Sequence, residues 1–361
     1  MKILLCLYFI SLNLFAAVDF RDGINPELAP SGRALAMGNA FTSVVNDATA
    51  SFYNPGGLGS IRRGHFHLSN LLLEFNKDWL NIGTEGDLLD IPSKLTDAFS
   101  LNGMRELLLK NKGRTAFNRF SIMPNFTNRI FSIGYLYNQQ VKARIQENST
   151  TFEFADRLDQ GPYGTLNFSF NGGILKFGIT GIYLTRKELF QDVDGTTELT
   201  LEDDDYKNGS RMIYIAGGRL TLPINMLPTL SITVHNMLDA RFDGEEAAGI
   251  SQIERSTVMG LSITPKLGNR TTLHLEANYR DLSNQYEDIK ASRKISLGAE
   301  IGFYNVLYFR IGLSDGFGSL GLGLKSRKLE FDITTYAVDK TAEEFRGSED
   351  RRFVAAISQG F

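Results

Sequence analysis

From residue 64 to the C-terminus the chain alternates apolar with polar or small side chains. Leu273, Leu275, Ala277 and Tyr279 are interleaved with Thr272, His274, Glu276 and Asn278. Ile295, Leu297, Ala299, Ile301 and Phe303 are interleaved with Ser296, Gly298, Glu300 and Gly302, and Leu329, Phe331 and Ile333 with Glu330, Asp332 and Thr334. Successive side chains of a strand point to opposite faces, so each segment predicts a strand with one apolar and one polar or small face. Strands are predicted near 63–76, 115–125, 129–138, 162–170, 173–186, 210–221 and 228–236. Seven more are predicted near 254–264, 270–280, 291–302, 304–314, 317–325, 327–338 and 351–361. The expected strand count is about fourteen.

A soluble sandwich would show the same alternation, so the connections decide. The links after even-numbered strands are short: Phe126–Asn128, Asn171–Gly172, Leu222–Met226, Pro265–Asn269, Phe303 and Ser326. Those after odd-numbered strands are long: 77–114, 139–161, 187–209, 237–253, 281–290 and 339–350, with only Ser314–Phe317 short. An even strand count with short turns at one end and long loops at the other predicts an all-β fold, a transmembrane antiparallel β-barrel with both termini on the periplasmic side. Lipid cannot satisfy a free strand edge, so such a sheet has to close on itself. Phe75, Tyr137, Tyr279, Phe303, Tyr304 and Tyr336 lie near strand ends and suit interfacial girdles. One link differs in kind. Leu88, Ile91, Leu95 and Phe99, then Met104, Leu107 and Leu108, recur at helical spacing and predict a short helical insertion after the first strand, at about 85–112.

Composition narrows the class. The chain has 361 residues, 42% hydrophobic and 22% charged, with 35 glycines and a mean hydropathy of −0.14. Its longest wholly apolar stretch, Ile3 to Ile10, is far short of a spanning helix, so a membrane protein of this composition spans by strands. A net charge of −3 leaves no basic footprint for nucleic acid. Residues 1–17 read as a secretory signal peptide: Met1 and Lys2, an apolar core, then Ala16 and Ala17 for cleavage. That removes Cys6, the sole cysteine, and leaves an exported chain without disulfides. Export, a barrel and the last strand together predict the outer membrane of a Gram-negative-type cell.

The last strand places Phe353, Ala355, Ile357, Gln359 and Phe361 on one face. It resembles the assembly signal of outer-membrane barrels, which implies that Phe353, Ile357 and the terminal Phe361 are read by the barrel-assembly machinery. Residues 18–62 lack alternation and are rich in small side chains, which suits a segment packed inside a barrel. Arg33 is expected to start a short helix capped by Ser31. The stretch Gly32-Arg33-Ala34-Leu35-Ala36-Met37-Gly38-Asn39-Ala40, then Asn46-Asp47-Ala48-Thr49-Ala50, then Asn54-Pro55-Gly56-Gly57-Leu58 resembles the start of FadL-like outer-membrane barrels. That superfamily includes long-chain fatty-acid and aromatic-hydrocarbon transporters and PorV-type proteins associated with secretion. The resemblance implies fourteen strands and an N-terminal plug or hatch over 18–62. It assigns Gly32, Arg33, Met37, Gly38, Asn46, Asp47, Asn54, Pro55 and Gly56 to that plug, as packing residues or as ligand gates.

Other motifs carry little chemistry. Gly316-Phe317-Gly318-Ser319-Leu320-Gly321 matches a dinucleotide pattern, but a strand follows where phosphate binding needs a helix. His65 and His67 share a strand face without further His or Cys nearby. Asp192, Asp194 and Glu202–Asp205 crowd acid into one loop without EF-hand spacing. No cofactor, metal or enzymatic activity is expected. Two functions follow from the resemblance. One is passive transport of hydrophobic compounds such as long-chain fatty acids; the other is a PorV-like barrel docking a secretion-system partner or supporting surface attachment. Outer-membrane lipid surrounds either.

Overall fold

The wall of the molecule is built from fifteen strand segments, seen in a computed structural model that describes residues 18, 20, 28–61, 64–84, 100–242, 249–341 and 345–360. They are β1 (His65–Asn76), β2 (Thr115–Ile122), β3 (Asn125–Thr127), β4 (Phe131–Ile145), β5 (Thr151–Phe170), β6 (Leu175–Asp194), β7 (Lys207–Thr221) and β8 (Thr229–His235). The circuit continues through β9 (Ser256–Ile263), β10 (Thr271–Tyr279), β11 (Ile295–Phe303), β12 (Leu307–Ser314), β13 (Phe317–Lys325), β14 (Leu329–Asp339) and β15 (Glu349–Gly360). β2 and β3 both pair with β1 and with β4, so they are two halves of one strand interrupted at Met123 and Pro124. Proline has no N–H for a ladder, which accounts for the break. The fourteen resulting strands run antiparallel in sequence order, and β15 pairs back onto β1, with Leu71 opposite Ile357 and Phe75 opposite Phe353. The barrel is closed.

Two tight turns show why the short links work. Asp315 and Gly316 have φ of 53° and 82°, the left-handed pair that matches strand twist in a two-residue hairpin. Asn171, Gly172 and Gly173, at 51°, 69° and 92°, make a slightly longer link to β6. Tyr304 and Asn305 adopt the same conformation at 56° each, so the predicted turn at Phe303 falls one residue later.

The alternation resolves with the apolar face outward. Leu166, Phe168, Phe177, Ile311, Leu320 and Ile357 are exposed, Phe168 by 57% and Leu320 by 58%. Thr165, Thr180, Ser231, Asn278, Glu300 and Arg310 point inward and are buried. A soluble protein would reverse this, and an apolar belt around the whole wall is stable only against acyl chains. No helix among the described residues is long and apolar enough to cross a membrane. On the last strand Phe353 and Ile357 share the outward face. Tyr336 does not belong to a girdle: it is buried inside, its hydroxyl on Glu74.

Two predicted loops are instead strand. The stretches 139–161 and 187–209 continue β4, β5, β6 and β7 outward, leaving only 146–150 and 195–206 as connections. β5 has 20 residues, a span of about 66 Å at ~3.3 Å per residue, well beyond the roughly 10 that cross a bilayer. Their charged residues hid the alternation and are paired across the sheet. Arg144 meets Glu153 at 2.6 Å, Arg157 meets Glu188 at 2.6 Å, and Arg186 grips Asp159 at 2.6 and 2.9 Å. This rising sheet packs Val141, Ile145, Phe152, Phe154 and Leu189 against a helical insertion. The insertion contains α3 (Lys77–Thr84) and, after the plug helices below, a longer helix at Leu101–Lys110 that buries Met104 and Leu108. The expected signal peptide at 1–17, the helical pattern of Leu88, Ile91, Leu95 and Phe99, and Phe361 lie outside the described residues.

Candidate functional site

Residues 28–61 thread the inside of the barrel and carry two short helices, α1 (Gly32–Ala36) and α2 (Ala50–Tyr53), numbered before α3 in chain order; Leu101–Lys110 is α4. Ser31 caps α1, its hydroxyl accepting from Ala34 N at 3.5 Å. Small residues let this segment coil tightly around a core of Met37, Phe41, Val45, Tyr53 and Leu58. Phe41 and Tyr53 meet edge to face at 5.4 Å. The nine candidate plug residues lie inside the wall but spread around it, Gly32 against β14 and β15 and Asn54 to Gly56 against β6 and β7.

Arg33 is the main electrostatic anchor. Its guanidinium clamps Glu300 on β11 through two hydrogen bonds of 2.8 Å, donates to Asn46 at 2.7 Å, and lies 3.3 Å from Asp47. Glu300 also accepts from Arg310 at 2.6 Å, and Arg310 reaches on to Asp332. Buried charges persist when paired and hydrogen-bonded in this way. Glu276 on β10 does a second job, accepting from Ser43 N at 2.8 Å and Val44 N at 2.9 Å. Asn54, wholly buried, donates to Thr42 O at 3.0 Å and Gly218 O at 3.2 Å and accepts from Gly56 N at 3.0 Å. Pro55 then opens a 3-10 turn, Pro55–Ser60, that leads toward β1.

The wall is shaped for the plug. Cβ atoms added at Gly178, Gly217, Gly298, Gly312 or Gly321 would strike Pro55, Asn54, Met37, Gly38 or Ala36 respectively. Gly38 itself has φ of 60°, and a Cβ there would sit 2.7 Å from Leu313 backbone. Gly32 is tied by Thr334, whose hydroxyl donates to its carbonyl at 2.9 Å. The wall partners Glu276, Glu300 and Arg310 were not singled out from sequence. A charged residue in mid-strand of a membrane barrel must point inward and find a partner, and that was the available signal.

The plug divides the lumen into unlike chambers. Toward the long loops, inward positions turn apolar: Leu136, Ile182, Leu184, Ile213 and Ile215 pack with Leu28 and Phe52 of the plug. A cavity of about 30 Å³ remains beside them, bounded by Leu28, Phe52, Ile213 and Ile215 and by His235, Asn236, Glu254 and Arg280. Beside it the β5–β6 ladder skips Gly161 and Pro162. Toward the short turns lies a polar chamber of about 1040 Å³, lined in part by Arg33, Ser60, Lys176, Arg219 and His274. His67 borders this chamber and bonds Ser358 at 2.9 Å. No group of three metal-binding side chains occurs among the described residues.

A closed fourteen-strand barrel with an apolar belt and an N-terminal plug defines an outer-membrane β-barrel of FadL-like fold. The solved structures agree. The chain is similar to a Pseudomonas aeruginosa FadL homologue, with a TM-score of 0.50, 12% identity, and coverage of 92% of this chain and 98% of that one. It is also similar to the CymD monoaromatic hydrocarbon channel, with a TM-score of 0.53, 10% identity, and coverage of 93% and 98%. No family model and no curated protein matches the sequence.

Proposed function

We propose that the protein is a non-enzymatic channel that lets hydrophobic compounds, long-chain fatty acids among them, cross the outer membrane passively. The observation that carries this reading is the apolar cluster where the plug meets β4, β6 and β7, on the loop side of a polar chamber. An acyl chain or aromatic ring would take the place of side-chain contacts around Leu184, Ile213 and Phe52, the kind of apolar surface that ligand sites use. The likeness to a FadL homologue and to a monoaromatic hydrocarbon channel supports the same class of cargo. Passage then requires the plug to shift, because Asn54 ties it to the wall at the bottom of the cluster.

The test is uptake of a long-chain fatty-acid tracer by cells carrying the wild type, variants or a deletion. Asn54→Ala and Gly56→Val leave the barrel but loosen the plug, and uptake should change several-fold. Leu184→Asp with Ile213→Asp should depress it. A PorV-like docking barrel is the second reading, favoured by how tightly the apolar cluster is packed, with only about 30 Å³ free. Tracer uptake identical in wild type, all variants and the deletion strain would sink the channel in favour of docking.

A further inference from the structure

Two cations in the turn-end chamber have no carboxylate in ion-pair contact, unlike most other buried cations of the barrel. Lys176 on β6 and Arg219 on β7 are directly opposite one another in the ladder, both pointing inward, 8% and 7% exposed. Lys176 Nζ donates to Ser60 Oγ at 2.9 Å, and Arg219 Nη1 donates to the same oxygen at 3.1 Å and to Val45 O at 2.9 Å. Arg219 Nε is buried with no acceptor. By contrast, Arg33, Arg186, Arg293, Arg310 and Arg352 each hold a carboxylate. Among the described residues no Asp or Glu is ion-paired with Lys176 or Arg219. Glu276 stands three strands along the wall on β10, forms no ion pair with either cation, and is occupied by plug N–H groups.

Like charges directly opposite on a sheet repel, and burying them without an anion is costly. Both line the 1040 Å³ chamber, where eight Lys or Arg side chains stand against three Asp or Glu. The donors converge. Lys176 has protons to spare, Arg219 has its free Nε, and Ser60, whose oxygen already accepts from both cations, keeps its own hydroxyl proton to give.

We propose that this corner is an oxyanion-binding site, in which Lys176, Arg219 and Ser60 hold a carboxylate or phosphate group that enters from the periplasmic end. Charge-assisted hydrogen bonds of this kind are the strong ones, and they would relieve the cross-strand repulsion. The site goes beyond the channel reading and stands whether or not hydrophobic compounds cross the barrel. Free phosphate and the headgroup of a fatty carboxylate share the chemistry; only the latter brings an apolar tail.

The experiment is calorimetric titration of the full-length protein in uncharged detergent, with inorganic phosphate in one arm and octanoate in the other. Saturable binding is expected in at least one arm, weakened by about tenfold or more in the Lys176→Gln/Arg219→Gln double variant. Lys187→Gln, far from the chamber, controls for net charge and should bind as wild type does. Binding of phosphate alone identifies a free oxyanion as the ligand, and tighter binding of octanoate identifies an amphiphile. Thermal melting provides the second readout. In anion-free buffer the double variant should melt at or above the wild-type temperature, because a repulsion has been removed. No saturable binding in either arm, equal binding in the double variant, or a double variant that melts well below wild type would overturn the proposal. Tracer uptake is read separately, so either idea can fail without the other.

Discussion

Gly38 follows α1 at the point where the plug lies flat against β12. Its left-handed backbone and the nearness of Leu313 leave no room for a side chain, and Gly312 across from it is equally bare. Gly38→Ala should therefore unseat the plug rather than unfold the wall. The cost is about 2 kcal/mol, from strained backbone and overpacking together. Amide hydrogen exchange checks this: residues 28–61 should exchange about tenfold faster or more, while β9 to β14 stay protected. Unchanged protection of the plug would contradict this packing. The residue-level reading from sequence went partway. Arg33, Asn54 and Gly38 stood out by motif, but their partners Glu300, Gly218 and Leu313 lie at least 164 positions away along the chain.

At the scale of elements, the outward extension of β4 to β7 and the helices α3 and α4 form a second core, outside the membrane. Trp79, Met104, Leu108, Ile145 and Phe152 are its centre. Asn76 joins the two parts, its amide oxygen accepting from Trp79 N and Phe117 N at 3.1 Å each. Met104→Asp would bury an unpaired carboxylate there, at a cost of about 3 kcal/mol to this cap. The expected outcome is early proteolytic cleavage within 77–114 with the barrel itself still folded, read by limited digestion and mass spectrometry. Collapse of the whole barrel would show that cap and wall are one cooperative unit. Helical spacing announced Met104 and Leu108; the charged strands around Arg157 and Asp159 kept their own extension hidden.

For the whole molecule, closure of fourteen strands with apolar residues outward commits the protein to lipid. Cell fractionation should recover it in the outer membrane, with the precursor cut after Ala16 or Ala17. Removal of Phe361 should lower the yield of heat-modifiable barrel without changing export, because the terminal aromatic is proposed to address the barrel-assembly machinery. A yield equal to wild type would remove that role from Phe361. A cytoplasmic or free periplasmic protein would contradict the membrane belt itself.

The sequence by itself determined the number and order of the strands and the short turns between them, and it marked the small-residue run that lies inside the wall. Those features are local: a period of two, glycine-bearing turns at Asn171–Gly172 and Asp315–Gly316, and a run of small residues from Gly32 to Ala40. Tertiary structure alone decided which inward residues meet. Arg33 finds Glu300, Lys176 faces Arg219 without an acid, and Leu184 joins Phe52, because closing the sheet brings distant strands around one axis. The alternation says only that a side chain points inward. What it meets there depends on the register of fourteen strands and on how deeply the plug is seated.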